Sequence, residues 1–300
     1  MRVAITGTTG QLGGRLCVLG AAEAARGMTL LDCGRKTMDL LVPGSIPTAL
    51  DSLKPDVVVS CAAYTAVDAA EDDRDTAFRV NGEAPGHLGR ACAERGIQVV
   101  HISTDYVFDG RGKTPYLPED PTGPTGVYGA SKLAGERALL EALPGASIIR
   151  VGWLYDREGR NFLNTMLRLG GEREVLTVVD DQWGCPTHAG DFAEDLLHWV
   201  RLGGKDAEAI RGVHHYGHEG MTHWHGFASA ILERVHPNVR VDAVTSDAFP
   251  TRATRPSFSK LDESAFFHKL GRPPISWKTA LNRCLDAKFD SPENSQRRFP

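Results

Sequence analysis

The chain has 300 residues, an ordinary share of apolar, charged and aromatic residues, and a net charge of −4. That length suits one large or two modest domains with a true core, and the charge gives no electrostatic case for nucleic acid or an anionic membrane. No apolar run reaches the ~20 residues that span a bilayer, and six cysteines (17, 33, 61, 92, 185, 284) without a Cys-x-x-Cys pair read as reduced, packed thiols of a cytoplasmic protein.

Arg2-Val3-Ala4-Ile5 reads as a short strand that leads directly into Thr6-Gly7-Thr8-Thr9-Gly10-Gln11-Leu12-Gly13, leaving no room for a signal peptide. Glycines recur at every third position there, and a helix is predicted to about Ala25. A strand, glycine loop and helix in this order bring backbone N–H groups and a helix N-terminus against a pyrophosphate. A Cβ at those glycines would block the phosphates or the turn. Thr29 to Cys33 is the second strand. Asp32 stands where a doubly wound fold meets the adenosine ribose, and an acid there suits the 2′-hydroxyl of NAD. Arg35 and Lys36 follow at once and suit the 2′-phosphate of NADP. The expectation is use of both cofactors with a lean to NADPH.

Val57 to Cys61 is a continuous apolar strand of the kind buried in a parallel sheet. It ends in Ala62-Ala63-Tyr64-Thr65, where small residues let a cofactor cross. A helix is predicted from about Thr76 to Arg95. Val99 to Thr104 is another buried strand, with His101 packed inside it and Thr104 at its C-terminal end. A loop rich in Gly, Pro and Asp covers 105–125 and delivers the chain to Tyr128. Tyr128 and Lys132 are four residues apart at the start of a predicted helix, so their Cβ atoms share one face about 5–6 Å apart. No other tyrosine in the chain has a lysine four residues on. A fixed ammonium lowers a phenol pKa from its usual value of about 10 and lets the pair pass a proton to a substrate oxygen.

Ser147 to Val151 is the next strand, ending at Gly152-Trp153. Asn161 to Leu169 reads as helix, Glu174 to Val179 as strand, Asp191 to Val200 as helix and Gly212 to Tyr216 as one more sheet strand. The alternation predicts an α/β fold, a Rossmann-type doubly wound parallel sheet with a smaller α+β substrate domain. Residues 1–170, completed by 188–216, form the dinucleotide domain. Residues 217–289, with part of 171–187, form the substrate domain, and 290–300 is a polar, disordered tail. His214, His215, His218, His223 and His225 lie close in sequence but lack zinc-site spacing or a nearby cysteine. They read as strand and turn histidines, and no metal site is assigned.

The glycine loop and Tyr128-x-x-x-Lys132 together resemble the extended short-chain dehydrogenase/reductase family. A longer likeness runs from the glycine loop through Ala62-Ala63-Tyr64-Thr65-Ala66-Val67-Asp68, Ser103-Thr104-Asp105-Tyr106-Val107-Phe108-Asp109-Gly110 and Tyr128-Gly129-x-Ser131-Lys132-Leu133-x-Gly135-Glu136. It continues through Asn161-Phe162 to Leu169, Asp181-Gln182-x-Gly184-x-Pro186-Thr187 and Arg255-Pro256-x-x-Ser259-x-Leu261, and the whole set resembles the dTDP-4-dehydrorhamnose reductases. The resemblance implies a catalytic trio of Thr104, Tyr128 and Lys132. It implies cofactor contacts from Gly7, Gly10, Gln11 and Leu12. Asp39 and Leu40 would stand near the adenine, and Ala62, Ala63, Tyr64 and Thr65 along the cofactor's path. Thr104, Asp105, Tyr106 and Trp153 would touch the sugar, and Arg255 is a candidate for the substrate diphosphate. Tyr64, Cys185 and His188 depart from the usual residues, the last two at the pocket rim.

The implied reaction uses NADPH or NADH to reduce the 4-keto group of dTDP-4-dehydro-6-deoxy-L-mannose, giving dTDP-L-rhamnose. A small nucleotide-sugar is then the partner, with room for a homodimer. Mg²⁺ is compatible with the resemblance, but no residue pattern supports it. Two other readings share the fold. A nucleotide-sugar dehydratase carries Asp-Glu after the threonine, whereas Asp105 is followed here by Tyr106. A non-catalytic regulatory subunit of the methionine adenosyltransferase β type can keep both tyrosine and lysine. Another reductase or epimerase of the family also remains open.

Overall fold

The computed structural model describes residues 1–289, so the expected tail at 290–300 lies outside the described residues. Six strands form one parallel sheet: β1 (Arg2–Thr6), β2 (Thr29–Asp32), β3 (Val57–Ser60), β4 (Gln98–Thr104), β5 (Ser147–Val151) and β6 (Gly212–Tyr216). Their order across the sheet is β6-β5-β4-β3-β1-β2. The progression reverses between β1 and β3. That reversal opens a crevice at their C-terminal ends, where ligands of doubly wound folds bind.

The apolar runs explain the layers. Val3, Ile5, Val57, Val59, Val100 and Ile149 join one core cluster, while Ala4, Val58, Val99 and Ile148 join another. Alternate residues thus face opposite sides, and both sides are covered, as unbroken apolar strands require. Helices α1 (Gln11–Ala24), α5 (Ala189–Lys205) and α6 (Ser264–Leu270) cover the first face with Leu16, Phe192, Trp199 and Phe266. Helices α2 (Ser45–Leu53), α3 (Ala84–Ala93) and α4 (Val127–Ala142) cover the second with Leu50, Leu88 and Leu139.

The helix predicted over 76–95 is in fact interrupted. A short helix Val67–Ala70 and another, Arg74–Phe78, precede a π turn at Arg79–Glu83, after which α3 begins. Pro85 is the cause: it lacks an N–H and is tolerated only in a helix's first turn, where α3 places it. The wider turn also directs Asn81 inward. Its side chain accepts from Tyr64 N (2.8 Å) and donates to Tyr64 O (2.9 Å) and to Ser131 Oγ (3.1 Å). Here α4 comes so close that a Cβ on Gly135 would lie 1.9 Å from Asn81 O.

A second lobe has its own core of Leu163, Met166, Leu176, Phe227, Ile231, Trp277 and Leu281. It holds the helices Phe162–Gly170, Trp224–Val235 and Trp277–Phe289 and a two-stranded parallel pair, Val175–Val179 with Arg240–Val244. Among the described residues no helix is long and apolar enough to cross a membrane.

Candidate active site

The C-terminal ends of β1, β3 and β4 and the start of α1 open on one cleft of about 710 Å³. Gly7, Gly10, Gln11 and Leu12 line it. Gly7 has φ +67°, and a Cβ there would lie 2.7 Å from Ala62 N, so the turn admits only glycine. A Cβ on Gly13 would lie 2.2 Å from Gly7 O, which lets α1 pack directly on the loop. Gly10, the residue before α1, supplies no side-chain cap. The first N–H groups of the helix, and the positive end of its dipole, therefore remain for a ligand. These features fit the diphosphate of a dinucleotide. Asp39, Leu40, Ala62, Ala63 and Thr65 line the cleft beyond them.

Two expected cofactor residues stand elsewhere. Tyr64 packs beside Ala70, Ala77 and Val127, outside the lining. Asp32 is also outside it: its Oδ1 accepts from Thr8 Oγ1 (2.8 Å) and Gly34 N (2.9 Å). Arg35 does line the cleft, is exposed, and makes no ion pair among the described residues.

Thr104, Tyr128 and Lys132 come together in the same cleft. Thr104 closes β4, and its Oγ1 accepts from Tyr106 N (3.2 Å), capping the short 3₁₀ turn Asp105–Val107. The hydroxyl donates to Asp105 Oδ1 at 3.0 Å. Helix α4 starts at Val127, whose N–H donates to Glu71 Oε1 (2.8 Å), so Tyr128 sits in the first turn with Lys132 one turn on. The expected Tyr–Lys coupling is absent in this state. Lys132 Nζ donates instead to Ile102 O (2.7 Å) and lies 3.3 Å from His101 Nε2. An ammonium only donates, so Nε2 accepts and the imidazole proton belongs on Nδ1, facing Ser60 Oγ at 3.1 Å. The ammonium has three N–H groups, these contacts occupy two, and Lys132 itself lines the cleft.

Burial lowers Lys132 to about 8, with Glu136 pulling it back up. Burial also raises the Tyr128 phenol above its usual value; Thr104 lowers it somewhat, and Asp105 and Tyr106 add to the rise. Desolvation dominates at the phenol, and the Lys132 ammonium is turned toward Ile102 O and His101. The phenol is therefore held protonated, the state a proton donor needs.

Trp153 follows β5 and has φ +51°. For a bulky residue that is an outlier, costing on the order of 1–3 kcal/mol unless its surroundings enforce it. Three contacts do so. Nε1 donates to Ser259 Oγ (3.1 Å). Gly184 backs the ring so tightly that a Cβ there would lie 2.5 Å from Cε2. The indole of Trp224 stacks on it with ring centroids 3.5 Å apart and planes 1° apart. Trp224 lines the cleft as well, brought there at the start of the Trp224–Val235 helix, with Phe162 at 4.6 Å. Sequence reasoning missed Trp224. The available signal was His223, a helix cap that accepts from Gly226 N (3.2 Å) and fixes the aromatic right after it.

Asp105 and Tyr106 line the cleft, but Arg255 does not. Its Nη1 donates to Tyr106 Oη (3.2 Å), and its other terminal nitrogen pairs with Asp68, so it braces Tyr106 from behind. The five histidines do not converge. His214 bonds Ile210 O and Arg211 O, His215 bonds Tyr116 O, and His225 bonds Val241 O. His223 is the helix cap just described, and His218 Nε2 accepts from His188 N (3.1 Å). Neither Cys185 nor His188 lines the cleft. Asp156, His188 and Cys284 do bring ligand atoms within 4.8 Å of one another. Arg15 already holds both Asp156 oxygens, and His188 Nδ1 faces Asp191 Oδ2 at 3.0 Å, so this group is an ion-pair knot tying α1 to the second lobe.

Comparison with known proteins follows this geometry. Residues 1–289 match the family described as RmlD substrate binding domain. The dTDP-4-dehydrorhamnose reductase of Burkholderia thailandensis is 39% identical, over 95% of this chain and 98% of that protein. The crystal structure of a dTDP-4-dehydrorhamnose reductase from Clostridium acetobutylicum superposes with a TM-score of 0.89 at 33% identity, covering 96% of this chain and 99% of that one. That of the Bacillus anthracis dTDP-4-dehydrorhamnose reductase in complex with NADP gives 0.86 at 32% identity, with 95% and 99% covered. The likeness spans both lobes, and so the whole cleft, and the chain belongs to the RmlD substrate binding domain family.

Proposed function

We propose that the chain is an NAD(P)H-dependent oxidoreductase that reduces the 4-keto group of dTDP-4-dehydro-6-deoxy-L-mannose to the hydroxyl of dTDP-L-rhamnose. The observation that carries this reading is a half-buried Tyr128 that shares one cleft with Thr104, Lys132 and the glycine loop. A bound reduced nicotinamide would supply the hydride to C4. Gly7, Gly10, Gln11 and Leu12 would hold its diphosphate, Ala62, Ala63 and Thr65 its path across the sheet, and Lys132 its ribose. Asp39 and Leu40 belong at the adenine end.

The chain's residues supply the acid. Tyr128 gives its proton to the C4 oxygen while the carbon receives the hydride, so the carbonyl becomes an alcohol. The Thr104 hydroxyl steadies the negative charge that develops on that oxygen. Asp105 and Tyr106 face the sugar, and Trp153 with Trp224 offers the apolar wall that a 6-methyl group needs. Arg255 serves by holding Tyr106 rather than by meeting the diphosphate itself. NADPH is the preferred cofactor in this reading, because Arg35 is unpaired in the cleft while the Asp32 carboxylate is engaged by Thr8 and Gly34. Its substrates are small, charged and water-borne, which agrees with a cytoplasmic protein. Tyr106 after Asp105, in place of a second acid, speaks against a dehydratase.

The test is oxidation of NADPH and NADH with a panel of dTDP-4-keto-6-deoxyhexoses, with the product's C4 configuration read by NMR. Turnover to dTDP-L-rhamnose is the expected result. Cofactor binding without turnover of any keto-sugar, together with a stably co-purifying enzyme, would instead support the regulatory-subunit reading.

A further inference from the structure

The Thr104 hydroxyl stands among three hydrogen-bonding groups. It accepts from Tyr106 N–H at 3.2 Å and lies 3.0 Å from Asp105 Oδ1, and the Tyr128 phenol lines the same cleft beside it. A hydroxyl has one proton to donate and two lone pairs to accept with. The Tyr106 N–H fills one lone pair permanently. The direction of the other two bonds then depends on Asp105 alone.

An ionised Asp105 can only accept, so Thr104 must direct its single proton at Oδ1. The remaining lone pair then draws the Tyr128 O–H toward Thr104. Both protons needed at a substrate oxygen point away from it. A protonated Asp105 reverses the chain. Its O–H fills the second lone pair of Thr104, the Thr104 proton turns toward the cleft, and the Tyr128 proton is released to face it too. We infer that Asp105 is a positioning residue for the reduction, and that its neutral form aims the Thr104 and Tyr128 hydroxyls at the carbonyl oxygen. This inference rests on the reductase reading above.

The surroundings of Asp105 favour that neutral form. The residue is 3% exposed. Oδ2 lies against the backbone of Gly152, where a Cβ would come within 2.5 Å of it, and it has no hydrogen-bond partner. The Ser259 hydroxyl is near the carboxyl, but Trp153 Nε1 donates to its oxygen and its geometry toward Asp105 is poor. A buried carboxylate oxygen without a partner is costly when charged. Burial accordingly raises this carboxyl to about 6, with Ser259 and Thr104 pulling it partly back. The charged or titratable groups around it are Tyr128 on α4, Tyr106 on its own turn, the Arg255–Asp68 pair behind Tyr106, and the Lys260–Glu263 pair beyond Ser259. Burial raises both tyrosines, and the Arg255 and Lys260 charges are each paired with a carboxylate.

The sign follows directly. Reduction should be fastest with Asp105 protonated, so kcat/KM should fall as pH rises through about 6, the value of the sugar-free site. Bound sugar excludes more water and moves the carboxyl further up, so the fall in kcat should come at higher pH. The experiment measures both profiles with NADPH and the keto-sugar for wild type and Asp105→Asn. The amide stays neutral and can donate to Thr104, so the variant should lack the descending limb and be flat over the same range. A limb of unchanged midpoint in the variant, or a flat wild-type profile, would overturn the inference.

A second measurement needs neither turnover nor a folded Asp105 variant. Infrared difference titration of the wild type should show a buried carboxylic C=O stretch that is lost through about pH 6. Thr104→Val removes a donor to the charged form and should move that loss to higher pH. The absence of a titrating buried carboxyl, or no shift in Thr104→Val, refutes the inference whatever the enzyme turns over. Failure of wild type to reduce any dTDP-4-keto-6-deoxyhexose, with the infrared result intact, counts against the function and leaves the Asp105–Thr104 coupling standing.

Discussion

Tyr128 and Lys132 were legible as a pair from their spacing, but their electrostatics were not. The sequence predicts a lysine that lowers the phenol; the folded chain turns that lysine toward Ile102 O and His101, and desolvation sets the phenol instead. Replacing Tyr128 by Phe removes the donor and keeps the ring, so kcat should fall about 10²–10⁴-fold with NADPH affinity unchanged. Lys132→Ala should lower cofactor affinity as well, because the ammonium is the ribose ligand in this reading. Rapid-mixing kcat values and cofactor Kd values for both variants check this; a Tyr128→Phe protein retaining more than about a tenth of wild-type chemistry would remove the phenol from the role of acid. Arg35 and Asp32 show the same division between type and environment. Their residue types conflicted in the sequence, and only the bonds from Thr8 and Gly34 show that Asp32 is engaged. Arg35→Ala should therefore raise KM for NADPH about tenfold and leave NADH nearly unaffected, roughly the 1.4 kcal/mol of one exposed charge-assisted contact. Equal losses for both cofactors in steady-state assays would contradict that assignment.

At the scale of elements, strands were the easiest to read. Val57–Ser60 opens on three valines because both faces of the sheet are covered, whereas Ser147–Val151 carries the buried Arg150 and Gly212–Tyr216 carries two histidines, so these two strands were read from their place in the alternation with helices. The helix over 76–95 was misread because a π turn leaves no periodic trace, although Pro85 marked the break. Trp224 was missed because its partner, Trp153, lies far away in sequence. The joint between the glycine loop and α1 gives a sharp test. Gly13→Ala would put a Cβ 2.2 Å from Gly7 O, a backbone atom that cannot swing aside, whereas Gly14→Ala meets Thr8 O only at 3.4 Å. The first should destabilise by about 1–3 kcal/mol as an overpacked site and displace the phosphate loop. Thermal melts and NADPH titrations should show lower Tm and at least about tenfold weaker binding for Gly13→Ala, with Gly14→Ala close to wild type. Equal behaviour of the two would mean the loop and helix are not locked together.

For the whole molecule, buried neutral histidines set an acid limit. His215 is pushed down to about 3, first by burial and then by the nearby Arg150, against an unfolded value of about 6.5. A depressed folded pKa gives stability that is complete above about pH 6.5 and is lost as pH falls toward 3. Asp105 acts in the opposite sense, since its raised pKa adds stability as pH drops below about 6. Wild-type melting alone mixes the two. The difference between wild type and His215→Gln isolates the histidine: wild type should lose a few kcal/mol relative to the variant between about pH 6.5 and 4. Parallel stability curves from urea titrations over that range would show that His215 is protonated in the folded state.

The sheet is closed by what the ribosome makes late. Strand β6 covers the outer edge of β5, and Phe266, Phe267 and Leu270 of α6 join the cluster around Val3 and Ile5. At roughly 5–20 residues per second, the stretch from Val151 to Gly212 leaves the β5 edge unpaired for roughly 3–12 s of synthesis. An open strand edge is a template for pairing with the wrong chain. The half that binds the nucleotide emerges first and is completed last, when β6 replaces β5 as the outer strand.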